Sequence, residues 1–149
     1  MIVEIDQGDE TPIYEQLRRQ LIAAIADGEL RPGDQLASVR SLASDLGINL
    51  HTVNKAYAIL RDEGYLLMRR GAGAVVSDRS VPTSNRRAEA QDQRMRQELH
   101  RIALAYKARG GSREQFVSLA DEQAATVFDR PSDRFYRTDE QVDRTSSIN

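Results

Sequence analysis

The chain has 149 residues, 30% charged and 40% hydrophobic, with no cysteine and a formal net charge of −2. That size holds one ordinary domain, or a small domain with an accessory segment, and the composition is that of a globular protein with well-solvated helices. Without cysteine there is no disulfide framework and no thiol nucleophile. Without a long apolar run or a basic-plus-apolar leader, neither membrane insertion nor secretion is expected, and a reducing, cytoplasmic location is the simplest.

Met1 to Glu10 is short and acidic, with a strand-like alternation at Ile2, Val3 and Ile5. Thr11 is expected to cap a helix that has Pro12 at its first position, where the missing N–H costs nothing. Ile13, Leu17, Leu21 and Ile25 recur every fourth residue, Tyr14 and Ala24 widen the stripe, and Asp27-Gly28 ends it. This helix is a packing partner without assigned chemistry. Glu29 to Ala37 is a connector. Pro32-Gly33 marks a turn, Gln35 and Leu36 are candidates for a brief strand, and Leu36 is expected in the core.

Ser38 to Gly64 contains two short amphipathic helices. Val39, Leu42, Ala43 and Leu46 make one apolar stripe, with Ser38 as N-cap and Gly47 where a left-handed C-terminal cap is easiest. Asn49 is a second N-cap, and Val53, Ala56, Tyr57 and Leu60 repeat the spacing. Gly47, Ile48 and Asn49 separate the helices, with Ile48 wedged between them, which suits a helix-turn-helix. Leu50, His51, Asn54, Lys55 and Ala58 point away from the stripe of the second helix. His51, Thr52 and the free N–H groups of its first turn are donors for phosphate oxygens and base edges, and Asn54 can pair with bases further along. Such a helix docks its N-terminal residues in the major groove.

Tyr65 to Met68 and Ala74 to Val76 are apolar runs of strand length flanking Arg69-Arg70-Gly71-Ala72-Gly73, a hairpin signal. A helix-turn-helix followed at once by a hairpin is a winged helix. Arg69 and Arg70 would reach a phosphate or the minor groove, and Gly71 and Gly73 would let the backbone approach DNA. Gly71-Ala72-Gly73 is no dinucleotide fingerprint, since neither a third glycine nor a helix follows. The net charge is weakly acidic, but Arg40 to Arg79 is mildly basic, and local distribution decides electrostatic steering. Arg40, Lys55, Arg69 and Arg70 lie where DNA would run.

Residues 78–85 read as a linker. In the helical segment 86–128, Met95, Leu99, Ile102 and Tyr106 step by 4, 3 and 4, a narrow coiled-coil seam. Gly110-Gly111 breaks the first helix. Ser112 with Gln115 is a capping box for a second, whose stripe includes Phe116, Leu119, Ala120 and Val127. This pair is too small to bury a core alone, so its seam needs a partner. A homodimer is expected, through Met95, Leu99, Ile102, Tyr106, Phe116 and Leu119. Residues 129–149 lack periodicity and are expected to form a mobile tail.

Taken together, residues 11–77 resemble the DNA-binding domain of the GntR family of bacterial transcription regulators. The resemblance rests on Pro12 to Leu17, Gly28 to Leu36, Ser38 to Ala43, Leu46 to Asn49, Thr52 to Tyr57, Leu60, Glu63-Gly64 and Arg70 to Gly73. The Ser-Val-Arg and Asn-x-x-Thr-Val variants and the short helical C-terminus are similar to the YtrA-like subfamily, which dimerises through two helices and lacks a large effector domain. The resemblance implies a DNA contact at Arg40, beside Ser38. It implies further contacts at Asn49, Leu50, His51 and Thr52 of the turn and recognition helix, and at Arg70 and Gly71 of the wing. Family members that carry arginine at the positions of Leu50 and Asn54 make guanine contacts that do not transfer to this chain.

The fold expected is therefore mainly α with a small β hairpin: a winged helix-turn-helix over residues 1–77, followed by a helical dimerisation segment. The expected function is a homodimeric repressor on a palindromic operator in double-stranded DNA. A small-molecule effector of unidentified class is left open, and no cofactor is called for. The alternative is a winged-helix adaptor that docks a protein partner. Enzymatic activity is not expected: His51 and His100 stand on separate helices without metal-ligand spacing, and the carboxylates are those of solvated faces.

Overall fold

The computed structural model describes residues 2–78 and 85–129, with the backbone alone for 85–88. The linker expected at 78–85 lies almost wholly, and the tail beyond Asp129 entirely, outside these residues. The elements are α1 (Ile13–Ala26), α2 (Val39–Leu46), α3 (Leu50–Asp62), β1 (Leu66–Arg69), β2 (Gly73–Val76), α4 (Asn85–Ala108) and α5 (Arg113–Phe128). The chain divides into two compact units, Met1–Gln93 and Arg94–Asn149, with the boundary inside α4.

The first unit is a winged helix-turn-helix around one apolar core. Leu17 and Leu21 of α1, Leu42 and Ala43 of α2, Val53, Ala56, Tyr57 and Leu60 of α3, and Leu66, Ala74 and Val76 of the hairpin are all buried together. These are the stripe positions of each helix, brought to one centre because a helix buries only one face. Ile48 packs against this cluster from the turn between α2 and α3. Leu36 is buried as expected, and its N–H donates to Ala74 O at 2.9 Å. Gln35 bridges Val75, so the connector lies antiparallel along β2 and gives the two-stranded sheet a short third edge.

Two local expectations need correction. Thr11 does not cap α1. Pro12 is the N-cap residue, with an extended ψ of 141°, and the helix begins at Ile13. The Pro12 carbonyl accepts from the N–H groups of Glu15 and Gln16, while the Thr11 carbonyl accepts from the Gln16 side-chain amide. The N-terminal alternation is genuine, but among the described residues it pairs with no strand. Gln20 accepts from Glu4 N–H and donates to Glu4 O, and Gln16 does the same for Asp6. Two glutamines one helical turn apart thus stand in for a neighbouring strand, turning Val3 and Ile5 onto the core.

In the second unit α4 ends at Ala108, and the chain turns at Gly110, whose φ of 87° strains any residue with a side chain. Gly111 N–H donates to Tyr106 O at 3.1 Å, and a Cβ on Gly111 would run into the Tyr106 ring. Ser112 and Gln115 form the expected reciprocal capping box, at 3.2 and 3.1 Å. Tyr106 and Phe116 meet at the elbow with ring centroids 5.6 Å apart. None of the described side chains of α4 and α5 is buried.

Candidate nucleic-acid interface

The helix-turn-helix is fixed by its caps. Ser38 Oγ accepts from Ser41 N–H at 3.1 Å, and Asn49 Oδ1 accepts from His51 N–H at 2.8 Å. Each cap satisfies one orphan donor of a helix start, and the Thr52 and Val53 N–H groups of α3 donate back to Asn49 O at 3.0 and 3.4 Å. Gly47 adopts the left-handed conformation, with φ 63°, that turns the chain from α2 into α3 within three residues. Tyr57, buried in α3, donates its hydroxyl to Ala37 O at 2.9 Å, tying the recognition helix to the residue that precedes the α2 cap. Burial pushes the Tyr57 phenol up to about 12. Arg18 of α1 grips Glu63 at the end of α3 through two bonds of 3.0 and 2.7 Å, which raises the Arg18 pKa further.

On this frame Arg40, Leu50, His51, Asn54 and Lys55 are exposed and Thr52 is half-buried. Ser38 and Asn49 are exposed at their cap positions, so their side-chain oxygens already serve the backbone. Arg69 and Gly73 face each other as the last ladder pair of the hairpin, which leaves Arg70, Gly71 and Ala72 as its tip. The wing loop is therefore two residues shorter than the Arg69 to Gly73 expected. Arg69, Arg70, Gly71 and Gly73 are all exposed.

The pairing of the cations sorts them. In the first unit Arg18 and Arg19 bind Glu15 or Glu63, and Arg61 binds Asp62. Arg31 is also engaged. Among the described residues of this unit, the cations with no carboxylate partner are Arg40, Lys55, Arg69 and Arg70. All four stand on the helix-turn-helix or the wing. Positive side chains left unpaired on exposed elements keep their full charge for an outside anion.

Sequence reasoning missed one contributor. The ammonium of Lys55 sits 3.8 Å from the centre of the Tyr14 ring, a cation–π contact that links α3 to α1. Tyr14 read as a widening of the α1 stripe, and nothing local to it points to a residue 41 positions away. In the second unit, Met95, Leu99, Ile102 and Leu119 are exposed, and Tyr106 and Phe116 are half-buried at the elbow. Among the described residues no group of histidines and carboxylates is placed to hold a metal ion, and no helix is long and apolar enough to cross a membrane.

Residues 13–76 match the family model of bacterial regulatory proteins, gntR family. The chain is 40% identical over 82 residues to the HTH-type transcriptional repressor YtrA of Bacillus subtilis (strain 168), a match covering 55% of this chain and 63% of that protein. It spans less than two thirds of the length of this and of several other curated relatives. Its structure is similar to that of YtrA from Sulfolobus acidocaldarius, described as a GntR-family transcription factor. That comparison gives 37% identity and a TM-score of 0.57, over 84% of this chain and 98% of that one. A transcriptional antiterminator from Listeria monocytogenes EGD-e is similar in fold, with 27% identity and a TM-score of 0.72 over 85% of this chain and 92% of that one.

Proposed function

The chain belongs to the gntR family of bacterial regulatory proteins, and from that premise we propose that it is a sequence-specific DNA-binding transcriptional repressor. It acts as a homodimer on a palindromic operator. The observation that carries this reading is the set of cations without a carboxylate partner, Arg40, Lys55, Arg69 and Arg70, gathered on the helix-turn-helix and the wing, while Arg18, Arg19 and Arg61 are held by carboxylates. A recognition helix enters the major groove N-terminus first, where the side chains of His51 and Thr52 meet phosphates and base edges. Asn54, on the same exposed face of α3, supports base pairing further along. Arg69 and Arg70 on the hairpin supply phosphate or minor-groove contacts, beside a Gly71 that adds no bulk.

Dimerisation places two such units on two half-sites. The exposed stripe of Met95, Leu99 and Ile102 on α4, with Leu119 on α5, supports this assignment. Side chains of this size left open in a row are a surface that water disfavours and a second copy covers. A small-molecule effector at this surface would act by changing how the two copies meet. The chemistry expected is binding alone, without catalysis.

Titration of the full chain into a labelled duplex from its own upstream region, followed by anisotropy with scrambled duplex as competitor, tests the reading. Competitor-resistant, salt-sensitive binding of two protomers per site is expected. Binding no tighter than to scrambled DNA, with no preferred site in a pool of random duplexes, would overturn it in favour of a protein-docking adaptor.

A further inference from the structure

We propose that Leu50 reads the 5-methyl group of a thymine in each operator half-site, which makes it a specificity-determining residue; this rests on the DNA-binding reading above. Among the described residues of the first unit, the large apolar side chains that stay exposed are Ile2, Leu50 and Met68. Leu50 retains 43% of its surface, although Ile48, two residues earlier, is drawn onto the core. It is the first residue of α3, at the point of a recognition helix that advances furthest into the major groove.

The neighbours of Leu50 define what remains for it to do. Asn49 has its side-chain oxygen occupied by His51 N–H, and Thr52 is half-buried. His51 and Asn54 stay exposed and can hydrogen-bond to base edges. Leu50 has neither donor nor acceptor, so it cannot distinguish guanine, adenine or cytosine by hydrogen bonding. The apolar feature of the major-groove edge is the thymine methyl, and an aliphatic side chain discriminates it by contact. Burying one methyl-sized group corresponds to about fourfold in affinity.

The test begins with duplexes enriched by the full chain from a random pool. Each thymine of the enriched site is then replaced singly by deoxyuridine, which removes the methyl and keeps every hydrogen-bonding group. At one position per half-site the replacement is expected to weaken binding about fourfold. Leu50→Ala should bind the parent site less tightly and be indifferent to that replacement, with an unchanged urea-unfolding midpoint as the control for its fold. Leu50→Met should restore the sensitivity. If the unaltered chain ignores every deoxyuridine, or Leu50→Ala keeps the same sensitivity, the assignment to Leu50 is overturned while DNA recognition stands. If no duplex is enriched, both readings fall together.

Discussion

The two units of the chain carry similar apolar stripes and use them differently. In the first, Leu17, Leu21, Val53, Leu60 and Leu66 are fully buried against one another. In the second, Met95, Leu99, Ile102 and Leu119 repeat at helical spacing and remain open to water. Periodicity alone does not separate the two cases. A stripe states that a helix has an apolar side, and whether the partner is another element of the same chain depends on how many such elements there are to enclose a core. Three helices, a hairpin and an N-terminal arm suffice in the first unit. Two helices joined at the Tyr106–Phe116 elbow do not in the second.

Matched substitutions put the contrast at risk. Leu60→Ala removes a side chain enclosed on all sides, and about 2–5 kcal/mol of stability should be lost in urea unfolding, with DNA binding falling in parallel. Leu99→Asp, at an equivalent point of the open stripe, should leave the monomer folded. On the proposed assignment it should weaken self-association at least about tenfold in sedimentation equilibrium, because a charge at the centre of an apolar contact is left without a partner. A Leu99→Asp chain that self-associates as the unaltered one does would assign the stripe elsewhere.

Smaller effects are expected from the polar ties of the first unit. Arg18→Ala deletes the paired bonds to Glu63 that join α1 to the end of α3, at a cost of about 1–2 kcal/mol. Tyr57→Phe deletes the bond to Ala37 and should cost about 1 kcal/mol. It also changes the alkaline limb. The Tyr57 phenol is raised to about 12 by burial, from an ordinary value near 10. The folded state therefore holds this proton more tightly than the unfolded one. Stability is intact below about pH 10 and is lost as pH rises toward 12. Tyr57→Phe should flatten that part of the decline, and an unchanged alkaline profile would assign it to other groups. Arg19→Ala, at an exposed residue with a single bond to Glu15, should cost less than about 0.5 kcal/mol in the same unfolding assay.

The elements of the molecule were legible because their signals are local. Ser38, Gly47, Asn49 and the Ser112–Gln115 box occupy the cap positions that their side-chain chemistry favours, and Arg70-Gly71 sits at the tip of a hairpin flanked by apolar runs. What was not legible joins residues far apart in the chain. The Arg18–Glu63 pair spans 45 positions, and Gln16 and Gln20 reach back 10 and 16 to hold the N-terminal arm. Each is a polar side chain on a helix surface, and nothing in its own neighbourhood reveals a distant partner. The same limit applied to the cations. Their positions in the sequence placed Arg40, Lys55, Arg69 and Arg70 beside the expected DNA path. That these four lack carboxylate partners while Arg18, Arg19 and Arg61 have them emerged only once the helices were packed.

That division among the cations is the central claim, and the salt dependence of binding tests it most directly. Affinity for one duplex would be measured across a series of salt concentrations for the unaltered chain, for Arg40→Gln, Arg69→Gln and Arg70→Gln, and for the paired control Arg19→Gln. Each phosphate-bound cation contributes close to one ion to the slope of log affinity against log salt. The slope should fall by about 1 per protomer for each of the three site variants and stay unchanged for Arg19→Gln. Equal slopes for all of them, or a drop confined to Arg19→Gln, would contradict the assignment of these unpaired cations to the DNA backbone.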